Sequence, residues 1–235
     1  MATPNPIATG TLVDIDWLQA VDQLLGRDIT GGSPGWVSPP NPWVYVSANS
    51  FKIVGVDVTN RYTVGTKLSC TDAAATKYFY VVSSAYAASD TTVTITGGSD
   101  YTLSGGAITN PRFAFVENPY GFPGSFAFTP GYSGWAATPT MTGFLAARGK
   151  TLSLWLSVSG TSTNTVTAVA TPFIITQTIA GTIPCRIQDN GGAAVMGLCY
   201  VAAASATLTF YKDLGAGAFT ASGTKAVWLA ASLPI

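Results

Sequence analysis

Between Thr151 and Gly160 the chain reads TLSLWLSVSG. Leu152, Leu154, Leu156 and Val158 take alternate positions, with Ser153, Trp155, Ser157 and Ser159 between them. A period of two places the aliphatic residues on one face of a β-strand and the serines on the other. The single indole on the polar face marks a surface to search for a second sheet or a neighbouring subunit. The same alternation recurs where Val93 and Ile95 separate Thr92, Thr94 and Thr96, giving an apolar inner face and a threonine outer face.

Extended along the chain, this pattern predicts three regions. Residues 1–45 form an N-terminal attachment arm. It begins extended, around Pro4, Pro6 and Gly10. A helix is predicted over 15–25, with Asp14 as N-cap, Asp16 in the first turn and Gly26 as the stop. Ile15, Leu18, Val21, Leu24 and Leu25 share one face of it. A helix of this length is marginal alone in water, so this apolar face is a candidate docking surface. The stretch TGGSPGWVSPPNP follows, with four prolines and three glycines in thirteen residues. It reads as an irregular connector, with Trp36 and Trp43 as candidate anchors onto a neighbouring surface.

Residues 46–118 read as a small β-domain. Strands are predicted over 51–54, 62–64, 67–71, 78–84, 91–96 and 113–116, separated by short turn signals. The second boundary falls in the aromatic and glycine-rich segment NPYGFPGSFAFTPGYSG, residues 118–134, and residues 119–235 form a C-terminal antiparallel β-sandwich of jelly-roll type. Its predicted strands cover 139–147, 151–159, 165–169, 173–176, 183–189, 193–201, 206–211 and 225–231. Asp189-Asn190-Gly191-Gly192 is a hairpin signal between two of them. The expected class is therefore all-β, with one short helix and an extended arm at the N-terminus.

Two segments carry a resemblance. The runs NSFKIVGVDVTNRYTVGTKLSCTD and YFYVVSSAYAASDTTVTITGG resemble a module of tail-fibre and other virion proteins of tailed bacteriophages. The ordered elements GKTLSLWLSVSGT, TPFIIT, IPCRIQDNGG, TLTFYK and FTASGTKAVW resemble the C-terminal β-sandwich of phage fibre and minor virion proteins. The resemblance implies a structural component of the virion, assembled in the host cytoplasm. It further implies a homotrimer that is exposed at a fibre tip, fixed to other virion proteins through residues 1–45, and able to meet a host receptor or glycan. A glycan-degrading tip enzyme and a purely architectural capsid or tail decoration protein are the alternatives.

Composition sharpens this expectation. Charged residues are 9% of the chain, with 11 basic and 11 acidic side chains and a net charge of zero, against roughly 25% in an ordinary soluble domain. A surface this poor in charge suits packing against other copies or a larger particle, although a neutral secreted β-protein shares the composition. No run of Lys or Arg offers a phosphate-binding patch, so nucleic acid is not an expected partner. No apolar window is long enough for a membrane-spanning helix, and the first residues lack the pattern of a secretory signal. The odd set Cys70, Cys185 and Cys199 reads as free thiols, with a Cys185–Cys199 pair conceivable only if their strands are adjacent.

Chemistry is sparse. With no histidine, Ser-His-Asp and Cys-His nucleophilic sites and His-based zinc sites are excluded. The cysteine spacing does not fit structural zinc, no phosphate-binding glycine motif opens a helix, and no cofactor is expected. Asp57, Asp72, Asp90, Asp100, Glu117, Asp189 and Asp213 fall mostly at turn-like positions. A catalytic carboxylate pair among them is the weaker reading, and the protein is expected not to be an enzyme. Tyr120, Phe122, Tyr132, Trp135, Trp155 and Trp228 suit sugar rings by their flat apolar surfaces. They equally suit a core or a subunit interface, which is the preferred reading.

Overall fold

The computed structural model describes residues 35–162, 165, 167–176 and 181–235. The predicted docking helix, with Ile15, Leu18, Val21, Leu24 and Leu25, lies outside the described residues. Those described form an all-β protein of two antiparallel sheets.

The first sheet contains β1 (Val44–Ser47), β2 (Ser50–Ile53), β3 (Lys67–Asp72), β4 (Ala75–Ala87), β5 (Asp90–Thr96) and β6 (Thr109–Ala114), in the spatial order β1-β2-β5-β4-β3-β6. Its core gathers Phe51, Ile53, Leu68, Phe79, Val81, Val93, Ile95 and Phe113. Trp43 closes one side. Its ring stacks on Phe51 with centroids 4.1 Å apart, and its indole N–H donates to the Tyr62 hydroxyl at 2.9 Å. Trp36 anchors the other end of the connector, donating from its indole N–H to the Tyr120 carbonyl at 2.7 Å. Both indoles are buried, so the proline-rich segment is fastened down by its aromatics.

The second sheet contains β7 (Phe126–Ala127), β8 (Gly131–Ser133), β9 (Thr140–Arg148), β10 (Thr151–Thr161), β11 (Thr167–Ile175), β12 (Gly181–Gln188), β13 (Val195–Val201), β14 (Ser205–Tyr211) and β15 (Thr224–Pro234). Their order is β7-β9-β10-β15-β12-β13-β14-β11-β8. Only Phe128, Thr129 and Pro130 separate β7 from β8, yet these strands sit at opposite edges of the sheet. So short a link spans at most about 15 Å, which requires the sheet to curl until its two ends approach. One core then fills the inside. Leu152, Leu154, Leu156 and Val158 of β10 meet Val169 and Phe173 of β11 and Leu208 and Phe210 of β14. The alternation read from the TLSLWLSVSG stretch is realised: all four aliphatic residues are buried, and Ser153, Ser157 and Ser159 are not.

Three strand expectations need correction. Residues 62–64 form no strand. Tyr62 is fully buried, but from a turn in which its N–H donates to the Val58 carbonyl. Its aromatic character reports burial there, and the β-conformation does not follow from it. The segments 165–169 and 173–176 do not form two strands. Residues 167–169 and 173–175 belong to the single strand β11, whose register slips between Ala170 and Ile175, where Pro172 can give no ladder N–H. Strand β6 covers Thr109–Ala114, so it ends before Val116 instead of reaching it. The Asp189–Gly192 hairpin signal does form its turn. Asn190 and Gly191 both have positive φ, and the Gly192 N–H donates to the Asp189 carbonyl at 3.0 Å.

The sheets are joined by contact as well as by sequence. Tyr80 of β4 is buried in the core of the second sheet, with Tyr78, Val82 and Tyr101 packed beside it. At the turn after β5, Ser99 N–H donates to the Ala127 carbonyl at 2.7 Å, and Ala127 N–H donates to the Asp100 carboxylate at 2.8 Å. Gly65 meets the β9–β10 turn still more closely. Its φ is +83°, and a Cβ there would stand 2.2 Å from the Gly149 carbonyl oxygen. Gly65→Ala is therefore expected to cost about 1–3 kcal/mol, read as a lower urea midpoint. A midpoint equal to that of the native chain would mean that the two turns part without penalty.

Candidate functional site

The outer face of the second sheet is where sequence-predicted aromatics come together. Trp155 on β10 lies opposite Phe144 on β9 and opposite Ala230 on β15. Trp228 on β15 lies opposite Ser157 on β10 and opposite Arg186 on β12. Trp155 and Trp228 are thus diagonal neighbours, a relation that sets backbones about 7–8 Å apart. The Arg186 guanidinium stands over the Trp228 ring, 4.9 Å from its centroid, a cation–π contact that fixes both side chains. Trp155 is 48% exposed and Phe144 45%. With Thr142, Ser157 and Ala230 they border a shallow hollow of about 430 Å³. No other described strand covers this face.

The local sequence explains the platform. Residues 155 and 144 have the parity that points away from the buried rows of β10 and β9, where Leu154, Leu156 and Leu145 face inward. Three paired strands therefore present flat rings on a rigid support, surrounded by hydroxyl and methyl groups with Arg186 as the charge beside Trp228. Such a surface suits the apolar face of a ring-shaped polar ligand or the surface of another subunit.

The other predicted aromatics go elsewhere. Phe122 is half-buried between the sheets, with ring centroids 5.1 Å from Tyr80 and 5.6 Å from Phe126. Trp135 is buried against Gly160, and its indole N–H has no partner among the described residues. Tyr132 lies on the edge strand β8, its hydroxyl 2.9 Å from that of Thr138. Tyr120 is 67% exposed at a turn, away from the platform. Phe144 and Arg186 escaped the sequence reading; the strand register places both on the outer face.

Five of the candidate aspartates are committed to local structure. Asp72 accepts from Lys77 Nζ and from both the N–H and hydroxyl of Ser104, each at 2.7 Å. Asp90 pairs with Lys52 at 2.9 Å and accepts the Gly55 N–H, contacts that hold its carboxyl below the usual range. Asp57 accepts from Thr59, Asp189 from Thr220, and Asp213 from the N–H groups of Gly215 and Gly217. Among the described residues no group of three or more Cys, Asp or Glu is placed to hold a metal ion. The three cysteines are free and buried. Burial pushes the Cys70 thiol up to about 12 and the Cys185 thiol up to about 11, and raises Cys199 as well. Cys185 and Cys199 do lie on adjacent strands, but Cys185 faces Gly197 and Cys199 faces Ile183. Thiols held so far from their thiolate form are poor nucleophiles.

No protein-family model, no curated protein and no solved structure matches this chain.

Proposed function

We propose that this chain is a non-enzymatic structural subunit of a bacteriophage virion, a short homotrimeric fibre or tip protein that touches the host surface. Residues 1–45 attach it to the particle, and the nine-stranded sheet faces outward. The observation that carries the reading is the platform of Phe144 and Trp155, exposed rings on a sheet poor in charge, with Trp228 half-buried beside them beneath Arg186. Linked copies of such a surface bind by avidity without a tight single site. The glycan-degrading alternative needs two carboxylates free to face one scissile bond. The engagement of Asp57, Asp72, Asp90, Asp189 and Asp213 in turns and hairpins favours binding over hydrolysis.

The test joins assembly and binding. Sedimentation should give three times the chain mass at micromolar concentration, and a monomer there would remove the trimer. Trp155→Ala should change stability by less than about 1 kcal/mol and Trp228→Ala, half-buried under Arg186, by about 1–3 kcal/mol, and each should weaken attachment to host cells by about tenfold or more. Attachment undiminished in both variants would leave the sheet an architectural surface.

A further inference from the structure

The platform is not the only hollow with suitable chemistry. A cleft of about 560 Å³ lies between the two sheets, walled by the 63–67 turn, the segment after β6 and the β9–β10 turn. Lys67, Arg148 and Lys150 line it, with Glu117 as the single acidic side chain. We infer that this cleft binds a negatively charged sugar residue, its anionic group held by Lys67, Arg148 and Lys150 and its ring laid against Phe115.

Lys67 carries the argument. Only 6% of it is exposed, an unusual position for a lysine. Its ammonium stands 5.8 Å from the Tyr80 ring centroid and 5.7 Å from that of Phe122, rings that line a small hollow of about 40 Å³ which shares Lys67, Glu117 and Arg148 with the cleft. Among the described residues no carboxylate is bonded to it. Burial holds the ammonium below its ordinary pKa, with Glu117 opposing that shift and Arg148 adding to it. A buried cation without a bonded counter-ion is costly. An anion entering the cleft removes that cost and gains a charge-assisted contact.

The neighbours complete the chemistry. Glu117 is a weak competitor for the cations, since it approaches Arg148 only to 3.9 Å and both side chains are largely exposed. Phe115 is 68% exposed beside the cations, and its ring is steadied edge-on by Phe113 at 5.2 Å. Thr63 and Thr66 add hydroxyls to the wall. The cleft floor is rigid, because Gly65 abuts the Gly149 carbonyl. Phe144 and Arg148 share parity on β9, about 14 Å apart along the strand, so platform and cleft lie on one hairpin. The inference deepens the proposed surface binding and takes its biological sense from it, but it is testable without cells.

Calorimetry on the full chain at low salt uses trigalacturonate as the carboxylate probe, N-acetylglucosamine 1-phosphate as the phosphate probe and maltotriose as the neutral control. One or both anionic probes should bind, more weakly as salt is raised, and maltotriose should not. The stronger of the two identifies carboxylate or phosphate as the recognised group. Lys67→Met keeps the apolar stem and should weaken binding about tenfold or more. Arg148→Gln, on a side chain that is 67% exposed, should weaken it severalfold and secures the test if the Lys67 variant folds poorly. Failure of both anionic probes, equal binding of maltotriose, or native affinity in Arg148→Gln would overturn the assignment. Because the probe is a free sugar, such a failure leaves the attachment experiment on Trp155 and Trp228 to be judged by its own result.

Discussion

Phe126→Ala should lower the unfolding free energy by about 3–5 kcal/mol and split one transition into two. Phe126 is fully buried on the two-residue strand β7, at the edge of the second sheet. Its ring meets Tyr80 edge-on at 5.1 Å, Phe122 at 5.6 Å and Tyr101 at 5.8 Å. Tyr80 and Tyr101 belong to the first sheet's part of the chain, so this one ring fills the space between the two sheets. Beside it, Gly98 approaches so closely that a Cβ there would meet the Phe126 side chain at 2.8 Å. A truncated ring leaves a cavity that this close-packed contact cannot easily collapse into. It also leaves β7 with little to hold it against β9. Trp36 and Trp43 report on the first sheet, and Trp155 and Trp228 on the second. Denaturant curves read by fluorescence and by circular dichroism should coincide for the native chain and separate for the variant. A variant within about 1 kcal/mol of native, with coincident curves, would show that the shared aromatic core does not couple the two sheets.

Much of this architecture was legible, and the reason is physical. Wherever one face of a strand is buried and the other is wet, the period of two appears in the sequence. The strands over 90–96 and 151–161 have that form. Strand β1 was missed because Val44–Ser47 is an edge with little burial on either face, and it follows directly on prolines. Strands β7 and β8 were missed because two or three residues cannot display a period. Tyr62 misled in the opposite sense, since a turn can bury an aromatic as fully as a strand can. The platform was half legible. Trp155 stood out as a lone indole among serines, but its partner Phe144 sits between Gly143 and Leu145, where apolar neighbours hide the alternation. The cleft was not legible at all. Lys67, Phe115 and Arg148 are far apart in sequence; pairing of Lys67 with Ala114 brings the first two together, and the approach of Gly65 to Gly149 adds the third.

The second large effect is expected at Asp72. Its side chain is buried, with the Lys77 ammonium and the Ser104 N–H and hydroxyl each 2.7 Å from its oxygens. The aspartate thereby ties the β3–β4 hairpin to the loop beyond β5. Burial alone pushes its carboxyl up, but the bonds from Lys77 and Ser104 outweigh that and leave it below the ordinary value. A lowered folded pKa means that the unfolded chain binds the proton more readily. The contribution is therefore fully present above the unfolded value, about pH 4, and is lost as pH falls through the folded value. Asp72→Ala removes all three bonds and leaves Lys77 with its bond to the Thr102 carbonyl, so it should cost about 2–4 kcal/mol at neutral pH. Asp72→Asn keeps the volume but loses the charge, and should fall between the variant and the native chain. The informative quantity is the gap between native and Asp72→Asn as a function of pH. It should stay constant from neutral pH down to about pH 4 and then close as acid protonates the native carboxyl. A gap that stays open in acid would place the effect in packing, and the hairpin would then be held by shape alone.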